Sequence, residues 1–133
     1  MDLNKLVTTE KADSGSKMEI VHPATGVPIG ATITIVGTDS KIYQEAQHKV
    51  SNKRMKRVSG RGNTMRYMPT SEEVEVESIE LLSRCTLGWE NIEWEGVVLP
   101  FNLENAKMIY TELIWLREQV ISWMEDRSNF LVG

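Results

Sequence analysis

The chain has 133 residues, 41% hydrophobic and 26% charged, with a net charge of −4. A chain of this length forms one compact domain that removes roughly two thirds of its unfolded surface from water, and this composition excludes disorder throughout. No run approaches the roughly 20 apolar residues of a bilayer span, the opening MDLNKLVTTEK lacks the apolar core of a signal peptide, and Cys85 stands alone. An internal disulfide, a thiol-built zinc cluster and a CxxC redox pair are thereby excluded, and an intracellular protein with neither a membrane span nor a signal peptide is expected.

In chain order, residues 1–17 mix charge with Ser and Gly and read as a flexible N-terminal arm. MEIVH at 18–22 and ATITIV at 31–36 are β-branched and alternate, and Pro23, Gly26, Pro28 and Gly30 lie between them, so a β-hairpin is expected over 18–38. Its face of Ile33 and Ile35 needs cover, because a lone hairpin is marginal in water. Asp39 or Ser40 caps a helix on which Ile42, Tyr43, Ala46 and Val50 recur at helical spacing. Beyond Val50 the helix is polar on nearly every side and is expected to project from the core, and a basic, glycine-bearing loop follows at 59–69. Thr70 and Glu73 make a capping box for a helix with an apolar stripe of Val74, Leu81, Leu82 and Cys85, and Gly88 reads as its C-terminal stop. Glu95 and Gly96 suggest a turn or second hairpin between Trp89 and Phe101. Asn102 caps a last helical region carrying Leu103, Ala106, Ile109, Tyr110, Leu113, Leu116, Val120, Trp123 and Met124, as one helix or as two joined near Ile114. The expected class is α+β: an N-terminal β-hairpin or small sheet packed with a mainly helical C-terminal part over 39–133.

Catalytic constellations are not found. His22 beside Pro23 and His48 on a charged helix read as solvated or turn-capping, no GxSxG elbow frames a serine, and HExxH, EF-hand and Walker spacings are missing. Glu90, Glu93 and Glu95 lie close together, but little chain remains to form a cleft around them. A non-enzyme without metal or cofactor is expected.

Charge is segregated instead. Residues 41–66 hold eight Lys or Arg against Glu45 alone, whereas 72–80 hold five glutamates and no cation. Lys49, Lys53, Arg54, Lys56, Arg57 and Arg61 form a basic patch that would suit a phosphate backbone. The acidic total, the absence of nucleic-acid-binding signatures and the neutralising glutamate run disfavour that use and leave a solvated helix, or one paired with the acidic helix of its own or a neighbouring subunit. The second candidate surface is aromatic: Trp89, Trp94, Phe101, Tyr110, Trp115 and Trp123 are many large side chains for a small domain, and those left exposed would suit amphipathic helices.

GWENIEWEGVVLPF, followed by NLENAKMIYTEL and LREQVISWMEDRSNFL, resembles the C-terminal part of bacteriophage tail assembly chaperones, and MEIVHPATGVPIG with TDSKIYQEAQ is similar to their β part. The resemblance covers about Met18 to Leu131. It implies a non-virion factor in the host bacterial cytoplasm that self-associates, binds the tape measure protein and assists assembly of the tail tube protein. It also implies a shorter and a frameshifted longer form, with SNFLVG as the end of the shorter. The alternatives are a virion structural protein (connector, tail or decoration component) held by neighbouring virion subunits, and a nucleic-acid-binding protein acting through 41–66.

Overall fold

A computed structural model describes residues 2–60 and 70–131, with the backbone alone at Lys5 and over 54–60. The expected α+β class is found. Strands β1 (Ser16–Val21) and β2 (Pro28–Ile35) pair antiparallel, with Met18 opposite Ile33 and Glu19 opposite Thr32. The turn between them is held by His22, whose Nδ1 accepts from the Ala24 and Thr25 N–H groups at 3.1 and 3.4 Å.

A third strand, β3 (Thr86–Glu90), pairs with the free side of β2, so the order is β1-β2-β3 with β2 central. This corrects one expectation. Gly88 is no helix stop: it lies inside β3 opposite Thr34. The helix before it ends at Cys85 because β-branched Thr86 turns extended and donates its hydroxyl back to the Leu82 carbonyl at 2.8 Å. Alternation then sorts the sheet faces: Met18, Ile20, Ala31, Ile33 and Ile35 are buried on the inner face, whereas Lys17, Glu19 and Glu90 stand exposed on the outer.

Helices supply the cover that the hairpin needs. α1 (Thr9–Ser14) buries Ala12 and is integral to the fold, which corrects the expected flexible arm from Thr8 onward. Its end does structural work at a distance: Asp13 accepts from the Lys41 and Ile42 N–H groups at 2.8 and 3.2 Å, two of the orphan donors that open α2 (Lys41–Gly60). Ser40 is the side-chain cap from within the sequence, accepting from Tyr43 at 2.9 Å, while Asp39 instead binds Arg127 through both carboxylate oxygens at 2.6 and 3.0 Å. Ala46 and Val50 are buried on α2. The helix continues through Ser59 and Gly60, two residues into the expected loop; 61–69 lie outside the described residues.

α3 (Ser71–Cys85) starts as the capping box predicts, Thr70 accepting from the Glu73 N–H at 3.1 Å. Its core stripe is Ile79, Leu82 and Cys85, with Leu81 half-buried, whereas Val74, expected on that stripe, is 50% exposed. β4 (Glu93–Trp94) and β5 (Val97–Val98) form a second hairpin, with Glu95 and Gly96 at φ of +53° and +80°, the two positive values that a type I′ turn requires. The last helical region is two helices, α4 (Leu103–Glu112) and α5 (Ile114–Glu125), broken where Leu113 leaves the helical conformation, and a short α6 (Ser128–Leu131) follows. Asn102 caps α4, accepting from the Asn105 N–H at 2.7 Å.

One core joins sheet and helices. Ile33, Ile35, Val36, Cys85, Ile109, Tyr110, Leu116 and Val120 are the largest of its fully buried apolar side chains. Of the readings left open for the basic helix, pairing within the chain is the one found: Glu80 on α3 receives both Lys53 of α2 and Arg84, and Arg117 of α5 reaches Glu75 at 3.1 Å. Burial alone would raise the Glu80 carboxyl, but hydrogen bonds from Lys53 and Arg84 prevail and hold it below its ordinary value of 4.5. Hydrogen bonding to Arg127 likewise lowers Asp39 below 3.8. A depressed folded-state pKa contributes stability that is present above the unfolded value and lost as pH falls through the folded one. The urea midpoint is therefore expected to fall as pH drops below these values, and Glu80→Gln to flatten that fall while lowering stability near neutrality.

Candidate partner-binding surface

Between Trp89 and Phe101 the chain makes three changes of direction in a dozen residues, and each is fixed by a named contact. Asn91 takes a φ of +61°, a left-handed value that asparagine tolerates, and its side-chain amide donates to the Gly30 carbonyl at 3.2 Å, tying the turn to β2. The Leu99 N–H donates to Ile92 at 2.9 Å and closes the base of the β4–β5 hairpin. Trp89 clamps the returning strand: its Nε1 donates to the Leu99 carbonyl at 2.9 Å, and its ring meets Phe101 edge-on, centroids 5.0 Å apart and planes at 83°. Asn105 Nδ2 donates to the Pro100 carbonyl at 2.8 Å, fixing the entry to α4.

With its base fixed in this way, the hairpin carries Val97 and Val98 at 69% and 70% exposure. Directly opposite residues on paired strands share a face, so Val97 stands beside Trp94. Trp94 in turn forms one wall of a groove of about 160 Å³ between the hairpin, the start of β2 and the α4–α5 corner, lined by Ile20, Ile29, Leu113 and Trp115 among others. Ile29, one of the lining residues, is 51% exposed, and Ile114, between the lining residues Leu113 and Trp115, is 60% exposed.

The six aromatic candidates thus divide. Trp94 and Trp115 meet at this groove. Trp89 and Phe101 are engaged with each other and with backbone, holding the surface in shape instead of forming it. Trp123 lies half-buried on α5, its indole N–H without an acceptor among the described residues. Tyr110 is not on the surface at all: it is fully buried, its hydroxyl 2.7 Å from the Thr86 hydroxyl, and burial pushes its pKa far up. An amphipathic stripe that includes a tyrosine reads the same whether that ring faces core or solvent, which is why the spacing did not separate Tyr110 from the others. Ile29, Val97, Val98 and Ile114 were missed; the pair VV directly after Glu95-Gly96 was the available signal, since both positions of a two-residue strand cannot point inward.

Of the basic patch, Lys49 is exposed on α2 and Lys53 is turned onto Glu80. Arg54, Lys56 and Arg57 lie on α2 in its backbone-only part, and Arg61 lies outside the described residues. A larger hollow of about 600 Å³ between α2, α3 and α4 is lined by mixed charge, including Lys53, Glu77, Glu80 and Lys107, with Val50, Val76 and Ile79. His48 is exposed, and burial pushes the Cys85 thiol up to about 12, so it is held in the unreactive protonated form. Among the described residues no three His, Cys, Asp or Glu side chains gather as a metal site, and no helix is long and apolar enough to cross a membrane.

Compared with protein-family models, with curated proteins and with solved structures, the chain gives no match.

Proposed function

We propose that this chain is a non-catalytic phage tail assembly chaperone that binds the tape measure protein and assists assembly of the tail tube protein around it. The observation that carries the reading is the set of exposed apolar side chains on the β4–β5 hairpin and the start of α5: Val97, Val98 and Ile114 are all at least 60% exposed, Val97 is paired with the groove residue Trp94, and Ile114 lies between the groove residues Leu113 and Trp115. Exposed side chains of this kind bury nothing within the chain, and contiguous apolar patches on folded proteins mark sites where a partner sits. The hairpin belongs to GWENIEWEGVVLPF, one of the segments that carry the resemblance to tail assembly chaperones. A long helical client with an apolar stripe is the kind of partner such a surface serves. The same surface gives the chain a means of self-association, and its place of action is the host bacterial cytoplasm.

A chaperone leaves the assembled particle. Quantitative mass spectrometry of purified virions beside the infected-cell lysate is therefore expected to find the chain in the lysate and not in the particle. Stoichiometric copies in the virion would replace the chaperone reading with a structural one.

A further inference from the structure

We infer that the groove between the β4–β5 hairpin and the α4–α5 corner receives an apolar side chain from an amphipathic helix whose flanking residues are basic. Size sets the class of occupant first. At about 160 Å³ the groove is well below the ~300–1,000 Å³ of sites that enclose a small molecule, but it admits an aliphatic anchor projecting from a peptide. Its walls of Ile20, Ile29, Trp94, Leu113 and Trp115 offer such an anchor apolar contact on several sides.

Charge then sets the flanks. Glu93 is the one ionisable residue among those lining the groove, exposed Glu95 follows Trp94 in the hairpin turn, and exposed Glu112 precedes Leu113. From Arg84 to Lys107 the sequence contains no intervening cation, and the cations on the surrounding elements are committed elsewhere. Lys17 pairs with Glu90 at 3.2 Å on the outer face of the sheet, Arg117 pairs with Glu75 on α3, and Lys107 lines the hollow on the α2–α3 side. An apolar slot with a carboxylate rim favours a partner with positive flanks and repels one with negative flanks. The choice of a helical occupant rests on the chaperone reading; the choice of basic flanks rests on these residues alone.

The test uses the full chain and two labelled amphipathic helical peptides with the same leucine stripe, one flanked by lysines and the other by glutamates, followed by fluorescence anisotropy at low salt. The lysine-flanked peptide is expected to bind about tenfold or more tighter. The double variant Glu93→Lys with Glu95→Lys should reverse the preference, and Ile29→Asp, at an exposed position, should weaken binding of the preferred peptide about tenfold with the circular dichroism spectrum unchanged. Equal affinity for the two peptides, or affinity unmoved by Ile29→Asp, would overturn the proposal. So would a dimer that Ile29→Asp dissociates in a chain that binds neither peptide, which would assign the groove to a second copy. A chain that binds the lysine-flanked peptide as described but leaves the tape measure protein insoluble would sustain the groove and remove the chaperone reading. One that solubilises the client while binding neither peptide would do the reverse.

Discussion

Replacing Trp89 with alanine is expected to destabilise the protein by about 3 kcal/mol, the low end for truncating a large aromatic because the ring is half-buried. Two things are lost together: the edge-on contact with Phe101 and the indole donor that satisfies the Leu99 carbonyl. Trp89→Phe separates them, keeping a ring against Phe101 and removing the donor, for a cost of about 1 kcal/mol. Urea denaturation followed by circular dichroism reads both. The functional consequence is the more informative one. If Trp89 holds the hairpin that presents Val97 and Val98, partner binding by Trp89→Ala should fall even under conditions where the remainder of the fold persists. A double substitution of Val97 and Val98 by serine should instead reduce partner binding with little change in the urea midpoint, since exposed positions contribute little to folding.

The second large effect lies at the junction of the two ends of the chain. Gly37 leaves β2 with its N–H donating to Ala12 of α1 at 3.1 Å, and a β-carbon added there would stand 3.2 Å from both the Ala12 β-carbon and the edge of the Phe130 ring. The glycine is needed for space and not for its backbone angle. Gly37→Ala is expected to cost about 1–3 kcal/mol through overpacking, and Phe130→Ala about 3–5 kcal/mol through the cavity left beneath α1 and α6. Because the two act on one contact, the double variant should be more stable than the sum of the singles implies: with Phe130 truncated, the added methyl has room. A double-mutant cycle in urea checks this, and strict additivity would mean that Gly37 and Phe130 do not share the contact.

Local chemistry was legible where it was self-contained. The β-branched alternation of MEIVH and ATITIV, the caps at Thr70 and Asn102 and the Glu95-Gly96 turn all act within a few residues and are found as expected, and of the alternatives left open Ser40 is the α2 cap and His22 caps its turn. What stayed hidden depends on partners far along the chain. β3 has one β-branched residue and a central glycine, and it is a strand because β2 offers it an open edge some fifty residues earlier. Asp13 caps a helix that starts 28 residues later, so a segment whose composition reads as an arm is anchored. The apolar stripe runs unbroken through Leu113, which is why the α4–α5 corner was ambiguous; Thr111 marks it, its hydroxyl donating to the Lys107 carbonyl at 2.6 Å in the manner that bends helices. The candidate surface was half legible for the same reason. Aromatic content named the region, whereas only the fold separates Trp94 and Trp115 at the groove from Trp89 beneath the hairpin and Tyr110 in the core.

Co-expression with the tape measure protein addresses the proposed role most directly, with the soluble fraction and copurification as readouts. The tape measure protein is expected to move from the pellet into the soluble fraction and to copurify with this chain, and a chain carrying serine at positions 97 and 98 should lose much of that effect. A tape measure protein that remains insoluble and does not copurify with the intact, folded chain would contradict the chaperone function.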